Sequence, residues 1–263
     1  MKILLSLIFI ANLLLAFQSH NPYVKYISLD NHKIGILNYA FQINYDCIEK
    51  KPDMVVEELY KWMMFKKHYK REHISFRPDY NILSVCGSKK SMSFPNDLTR
   101  TGQDRGHNAA NYNWAWNRKY QLQTFKMSNI TPQSPTLNRY LWKYIEGFSR
   151  YLSVKEEHIY VYTGSFGKKG YVKNKVVIPE YWYKLILVPQ THEAYLFLVK
   201  NEKYPKKKYT YNEIQKYLTD LATFNKLNKD FNLKLKGNWK FKQIIVKKKT
   251  NLKDRIFNLL KNF

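Results

Sequence analysis

Apolar positions recur along the chain at two different spacings, and these divide it into predicted elements. Short segments rich in Val, Ile, Tyr and Phe at 35 to 45, 158 to 164, 175 to 188 and 193 to 200 predict strands. Helical spacing predicts helices over 53 to 68, 135 to 152 and about 211 to 223. The middle one is clearest, because Leu137, Leu141, Ile145, Phe148 and Leu152 share one face. Ser134 is a good N-cap for it, and Pro135 suits a first helical position, where a missing N–H costs nothing. Gly147 inside it costs about 1 kcal/mol relative to alanine. Strands and helices mix without regular alternation, and no repeat or linker interrupts them. The pattern predicts an α+β fold, a largely antiparallel sheet flanked by helices, and excludes a doubly wound parallel sheet.

The two ends read differently. Residues 1 to 17, MKILLSLIFIANLLLAF, place one lysine before an apolar run. The run is shorter than the roughly 20 residues of a membrane span and suits the h-region of a secretory signal. We expect 1–19 to be a signal peptide and the protein to be secreted, with an uncleaved membrane anchor as the alternative. Residues 20–263 then form a single domain. Its basic C-terminal extension begins at about 229 with the alternating LKLKGNWKFK and passes through Lys247, Lys248 and Lys249 to a Leu/Ile/Phe-spaced stretch from 252 to 263. That tail predicts a strand followed by an amphipathic helix.

Charge changes the picture. Lys and Arg number 45 against 20 acids, a formal net charge of +25. Such an excess points to a polyanion, most simply nucleic acid gripped by its phosphates; a Lys/Asn/Tyr-rich compositional habit is the bland alternative. At 263 residues, 44% of them apolar, the chain can bury the core of one large domain. The two cysteines, Cys47 and Cys86, form either one disulfide or two buried thiols. His68, His73, His158 and His192 lack the spacing of paired metal ligands.

Candidate chemistry concentrates in TGQDRGH, residues 101 to 107, and in SNITPQ, residues 128 to 133, with Asn138 and Glu146 eight residues apart in the helix that follows. Along an α-helix that spacing is about 12 Å, too far for one ion to touch both. Quartet, NITPQ and Asn-to-Glu spacing together resemble the DNA/RNA non-specific endonuclease family, the ββα-metal nucleases. NYDC at 44 to 47, REHISFRPD at 71 to 79, VYTGSFG at 161 to 167 and IPEYWYKLIL at 178 to 187 follow in the family's order. The resemblance spans roughly residues 38 to 200 and implies a ββα-metal active-site motif.

The resemblance implies roles. His107 matches the general base, since a neutral imidazole can take a proton from water attacking phosphorus, and neighbouring Arg105 would favour the neutral form. Asn138 matches the single direct protein ligand of Mg²⁺, with Mn²⁺ admitted as a substitute. Glu146 matches the carboxylate that reaches the metal through water. Arg105 and Arg71 match the guanidinium groups that pair with nonbridging phosphate oxygens, with Arg77 and Arg100 as alternatives to Arg71. Asn129 matches the asparagine positioned beside the histidine, and Asp104 is expected to hold its loop.

The chain departs from the family at Asn108-Ala109-Ala110 and in LTDLATFNK at 218 to 226. Asn129 also begins the chain's only N-glycosylation sequon and is expected to stay unmodified because its strand folds inward. The resemblance implies a secreted, Mg²⁺-dependent endonuclease hydrolysing DNA and RNA through backbone contacts and leaving 5′ phosphates. No stable membrane partner is expected after signal cleavage, and a homodimer is left open. The rival is a secreted basic nucleic-acid or polyanion binding protein with the same fold.

Overall fold

A computed structural model describes residues 27–29, 35–37 and 40–244. Its strands in chain order are β1 (Ile27–Leu29), β2 (Gly35–Leu37), β3 (Gln42–Asp46), β4 (Lys51–Tyr60), β5 (Asp104–His107), β6 (Ile130–Gln133), β7 (His158–Phe166), β8 (Gly170–Tyr171), β9 (Val177–Ile178), β10 (Tyr181–Val188), β11 (Glu193–Lys200), β12 (Leu218–Thr219), β13 (Leu233–Leu235) and β14 (Lys240–Phe241). The main sheet runs β12-β11-β10-β7-β4-β3-β2, with β14 also on β11. Its pairings are antiparallel except β11 with β14. The α+β fold with a largely antiparallel sheet is the one the sequence predicts.

Alternating side chains let the central strands serve two cores. Ile159 and Val161 of β7 and Trp182, Ile186 and Val188 of β10 enter one core. Tyr160, Tyr162, Phe166, Tyr183, Leu185 and Leu187 enter the other. The first core is closed by Leu137, Leu141, Ile145, Phe148 and Leu152, all buried as their spacing predicts. Phe224, Phe231 and Leu233 help to close the second.

Four predicted elements are redrawn, the first being the strand at 35 to 45, which is two strands, Gly35–Leu37 and Gln42–Asp46, paired antiparallel. Residues 53 to 68 do not form one helix: Lys51–Tyr60 is a strand and only Lys61–Phe65 is helical. β4 lies between β3 and β7, so Val55 and Leu59 face one core and Met54 and Val56 the other. A strand covered on both faces loses the apolar-polar alternation that would distinguish it from a helix. The β-branched pair Val55-Val56 was the local sign. The stretch 175 to 188 divides into β9 and β10 at Pro179, which has no N–H to give a ladder. The helix at 211 to 223 is interrupted where Leu218 and Thr219 pair with Phe197 and Leu196. A new helix, Leu221–Leu227, then starts on Asp220, whose carboxylate accepts from the Thr223 N–H.

In the tail, β13 pairs with β1 and β14 with β11. Residues 1 to 17 and the stretch 252 to 263 lie outside the described residues. Among the described residues no helix is long and apolar enough to cross a membrane. Cys47 and Cys86 form a disulfide, with Cα atoms 5.6 Å apart.

Candidate active site

β5 and β6 form a separate antiparallel ribbon, pairing Asp104 with Gln133, Arg105 with Pro132, Gly106 with Thr131 and His107 with Ile130. The quartet Asp104-Arg105-Gly106-His107 is therefore strand rather than turn. Gly106 is needed because the ribbon presses close to its neighbours: a Cβ there would lie 2.6 Å from Gln133 Oε1 and 2.9 Å from Trp182. β6 leads directly into a helix. Asn201 Oδ1 accepts from the Ser134 N–H, and the Ser134 hydroxyl meets Thr136 Oγ1 at 3.5 Å. Leu137–Trp142 then winds as a π-helix before Lys143–Lys155 continues as α-helix. Two strands and this helix make the ββα unit, and the π turn that holds Asn138 is an irregularity common at functional sites.

His107 stands among rings. Its ring centroid lies 5.4 Å from that of Phe76 and 5.1 Å from that of Phe125. Nε2 is buried and has no hydrogen-bond partner among the described residues, while the ring bonds to the Arg105 backbone. Burial, and after it the Arg71 charge, push the imidazole pKa down to about 3. The cation that holds His107 neutral is thus Arg71, whereas the sequence pointed to Arg105.

Both arginines reach the Phe76 ring, and Arg71 also reaches Phe125. Arg71 lies 5.2 Å from the Phe125 centroid, and Arg105 lies 5.4 Å from that of Phe76. Arg105 Nε and Nη2 donate to the Pro95 carbonyl at 3.2 and 2.6 Å, and Nη2 also donates to Thr99 Oγ1. These bonds fix one edge of the guanidinium. Of the alternatives to Arg71, Arg77 donates to the Leu122 carbonyl, and Arg100 sits in the left-handed region at φ 59°.

At the other end of β5, Asp104 holds the helix. Its Oδ2 accepts from Asn138 Nδ2 at 2.9 Å, and both its oxygens accept from Arg139 at 2.8 and 2.6 Å. Donating Nδ2 orients the Asn138 amide and leaves Oδ1 without a protein donor among the described residues. A neutral amide oxygen of this kind suits a hard divalent cation that keeps most of its waters. Asp104 was expected only to hold a loop; it positions Asn138.

Glu146 forms a third group. Burial raises its carboxyl pKa, opposed by the charges of Arg150 and Lys184. Lys184 is buried in the middle of β10, where its ammonium donates to Thr163 Oγ1 and lies 5.3 Å from the Trp142 ring. Beside it, buried Glu57 accepts from Asn113 Nδ2 and Trp114 Nε1, both at 2.9 Å. Neither Lys184 nor Glu57 stood out in the sequence, because each sits inside a hydrophobic strand pattern.

Asn129 is fully buried and bonded at both side-chain atoms. Nδ2 donates to the Ala109 and Thr124 carbonyls, and Oδ1 accepts from the Ala109 N–H. Its place is to clamp the chain leaving His107 rather than to meet solvent. The departure at Asn108 is absorbed locally, since its Nδ2 donates to the Asn129 carbonyl and Thr131 Oγ1. Asp79, buried and bonded to Ser128 Oγ and Lys126 Nζ, ties the segment carrying Phe76 to the entrance of β6. A separate acidic group, Asp46, Glu49 and Asp53, encloses the buried ammonium of Lys51, 2.7 Å from Glu49 and 3.1 Å from Asp53.

Comparison with known proteins gives a consistent result. A crystal structure of an EndoG/EndoGI complex has a TM-score of 0.66 to this chain at 23% identity, covering 74% of this chain and 84% of that one; the likeness is one of fold. Nuclease C1 of Cunninghamella echinulata var. echinulata is 34% identical over 140 residues, 48% of this chain and 54% of that protein. Mitochondrial endonuclease G of Homo sapiens is 35% identical over 131 residues, 45% of this chain and 42% of that protein. The chain thus spans about half the length of the curated relatives it matches. The family model for DNA/RNA non-specific endonuclease matches residues 23–237, and with the ββα unit in place the chain belongs to that family.

Proposed function

We propose that this chain is a secreted phosphodiesterase that cuts DNA and RNA internally with little sequence preference, using a divalent cation, Mg²⁺ foremost. One observation carries the reading. A neutral imidazole with an uncommitted Nε2 lies against Phe76 and Phe125, Arg71 reaches both rings and Arg105 one of them, and the strand that carries His107 begins at the residue that orients Asn138.

Each group has a task in hydrolysis. Nε2 of His107 accepts a proton from the attacking water. Arg71 and Arg105 pair with nonbridging oxygens, where negative charge accumulates as phosphorus becomes five-coordinate. A phosphate arriving beside Arg71 offsets the charge that depresses the imidazole, so the base strengthens when substrate binds. Asn138 Oδ1 would hold the cation, with Glu146 reaching it through water, and the cation would supply positive charge to the leaving 3′ oxygen. Asn129 keeps the chain after His107 in place. A net charge of +25 favours grip on the phosphate backbone, which gives affinity without base information. Secretion rests on the apolar leader of residues 1–19.

Nicking of supercoiled plasmid and degradation of RNA with Mg²⁺, with Mn²⁺ and with EDTA test the reading. Cleavage by the wild type and its loss in His107→Ala are expected. Binding without cleavage in either metal would overturn it in favour of a polyanion carrier.

A further inference from the structure

One surface leads into that site. Segment 61 to 71, KWMMFKKHYKR, leaves β4, turns through the short helix Lys61–Phe65 and ends at Arg71 beside His107. Its exposed rings are Trp62 (45% exposed), Phe65 (42%) and Tyr69 (53%), interleaved with exposed Lys66, Lys67 and Lys70. Trp62, Phe65, Tyr60, Lys61, Lys66 and His158 line an open groove at its start together with one acid, Glu157. Tyr60 stacks on His158 at 4.5 Å, Trp62 is braced edge-on by Trp116 at 4.8 Å, and Lys66 lies 6.0 Å from the Trp62 centroid. Further along, His68 packs against exposed Tyr112 at 4.3 Å, and Arg150 of the site helix covers the same ring at 5.1 Å.

We propose that this strip is a binding track for single-stranded nucleic acid, stacking unpaired bases on Trp62 and Phe65 and leading the strand to Arg71 and His107. The inference rests on the nuclease reading and adds to it a preference for unpaired substrate. Exposed rings beside cations are what a sequence-indifferent single-strand site requires, because every base has a face to stack and every nucleotide a phosphate to neutralise. A face made for a second copy of the chain would be depleted of lysine at its centre. Carboxylates near the groove are already engaged: Glu157 pairs with Lys61 at 2.5 Å, and Glu58 meets His158 at 2.9 Å. From Lys66 to Arg71 the chain spans at most about 17 Å, a reach of up to roughly five nucleotides at 3.4 Å per stacked base.

The test measures binding of single-stranded and duplex oligonucleotides by fluorescence anisotropy in a His107→Ala background, alongside cleavage by the wild type. Trp62→Ala and Phe65→Ala should each weaken single-strand binding about tenfold and leave duplex binding unchanged. The slope of affinity against salt should not move, since no charge is removed. Trp62→Phe, which keeps a ring, should restore most of the affinity, and matching melting temperatures exclude misfolding as the cause. Equal loss for both substrates, or no loss, overturns the track. A wild-type dimer in sedimentation that Trp62→Ala converts to monomer also overturns it, in favour of an interface between copies. Intact single-strand stacking in a chain that cuts nothing would sink the nuclease reading and leave the track standing.

Discussion

Asp104 Oδ2 accepts from Asn138 Nδ2 at 2.9 Å, joining the first residue of the quartet to the helix that follows the ribbon. The bond commits Nδ2 of the amide and leaves Oδ1 without a protein donor among the described residues, and the Arg139 guanidinium holds the carboxylate still while it does so. Asp104→Ala should therefore weaken metal binding rather than the chemistry. The Mn²⁺ concentration for half-maximal cleavage is expected to rise 10–100-fold, with the rate at saturating metal largely kept. Isothermal titration with Mn²⁺ should show the same loss, whereas Asn138→Ala should remove binding. Unchanged metal affinity in Asp104→Ala would refute this coupling.

His107 carries a pH signature. Its folded pKa lies at about 3, below the unfolded value near 6.5, so the unfolded chain binds more protons between those limits. Stability from this group is complete above pH 6.5 and is lost as pH falls toward 3, by up to about 1.4 kcal/mol per pH unit. His107→Asn should flatten the fall in urea midpoint between pH 6.5 and 4. The same change should cost about 10²–10⁴-fold in cleavage rate.

Glu57 works in the opposite direction. Burial raises its carboxyl pKa to about 7, against the charge of Lys184 and the donors Asn113 and Trp114. The folded state therefore holds a proton that the unfolded state releases above about pH 4.5, and its stabilising effect is lost as pH rises to 7. Glu57→Gln keeps the acceptor without the titration. Its stability relative to wild type should climb between pH 5 and 8 in paired thermal melts, and a constant difference would show that Glu57 does not titrate there.

Asn129 fills three hydrogen bonds and has no exposed surface. Asn129→Ala should destabilise the fold by about 2–4 kcal/mol, since it strands buried backbone groups as well as removing bonds. Expressed through a eukaryotic secretory pathway, the folded protein should carry no glycan at its sequon. Intact mass decides this, and full occupancy would contradict the inward placement.

The Cys47–Cys86 disulfide closes a loop with a sequence separation of 39 residues. Loop-closure entropy for that length corresponds to about 4 kcal/mol. Cys47→Ser/Cys86→Ser should lower the denaturant midpoint by a matching amount, and reduction of the wild type should reproduce the loss.

Much of the candidate site was legible because its short motifs resemble the family's, and the helix that follows them obeys a local periodic rule. The helical face from Leu137 to Leu152 is one periodic pattern, and Asp104 to His107 lie within four residues. Reading failed where burial comes from two directions. β4 looked helical because both of its faces are covered, and its acid Glu57, buried beside Lys184, gave no local sign of its place. Lys184 was hidden for the same reason, being one cation in an apolar run that the sheet encloses.

The sequence by itself determined the fold class, the buried face of the site helix and the large positive charge, because periodicity and composition need no partners, and the likeness of its motifs to the family's pointed to the ribbon residues and to Asn138 and Glu146. Tertiary structure alone decided which arginine neutralises His107, which carboxylate orients Asn138 and which cysteine state holds. Those outcomes depend on contacts between segments as far apart as Arg71 and His107, and burial and Coulomb interactions are set by distance in space rather than along the chain.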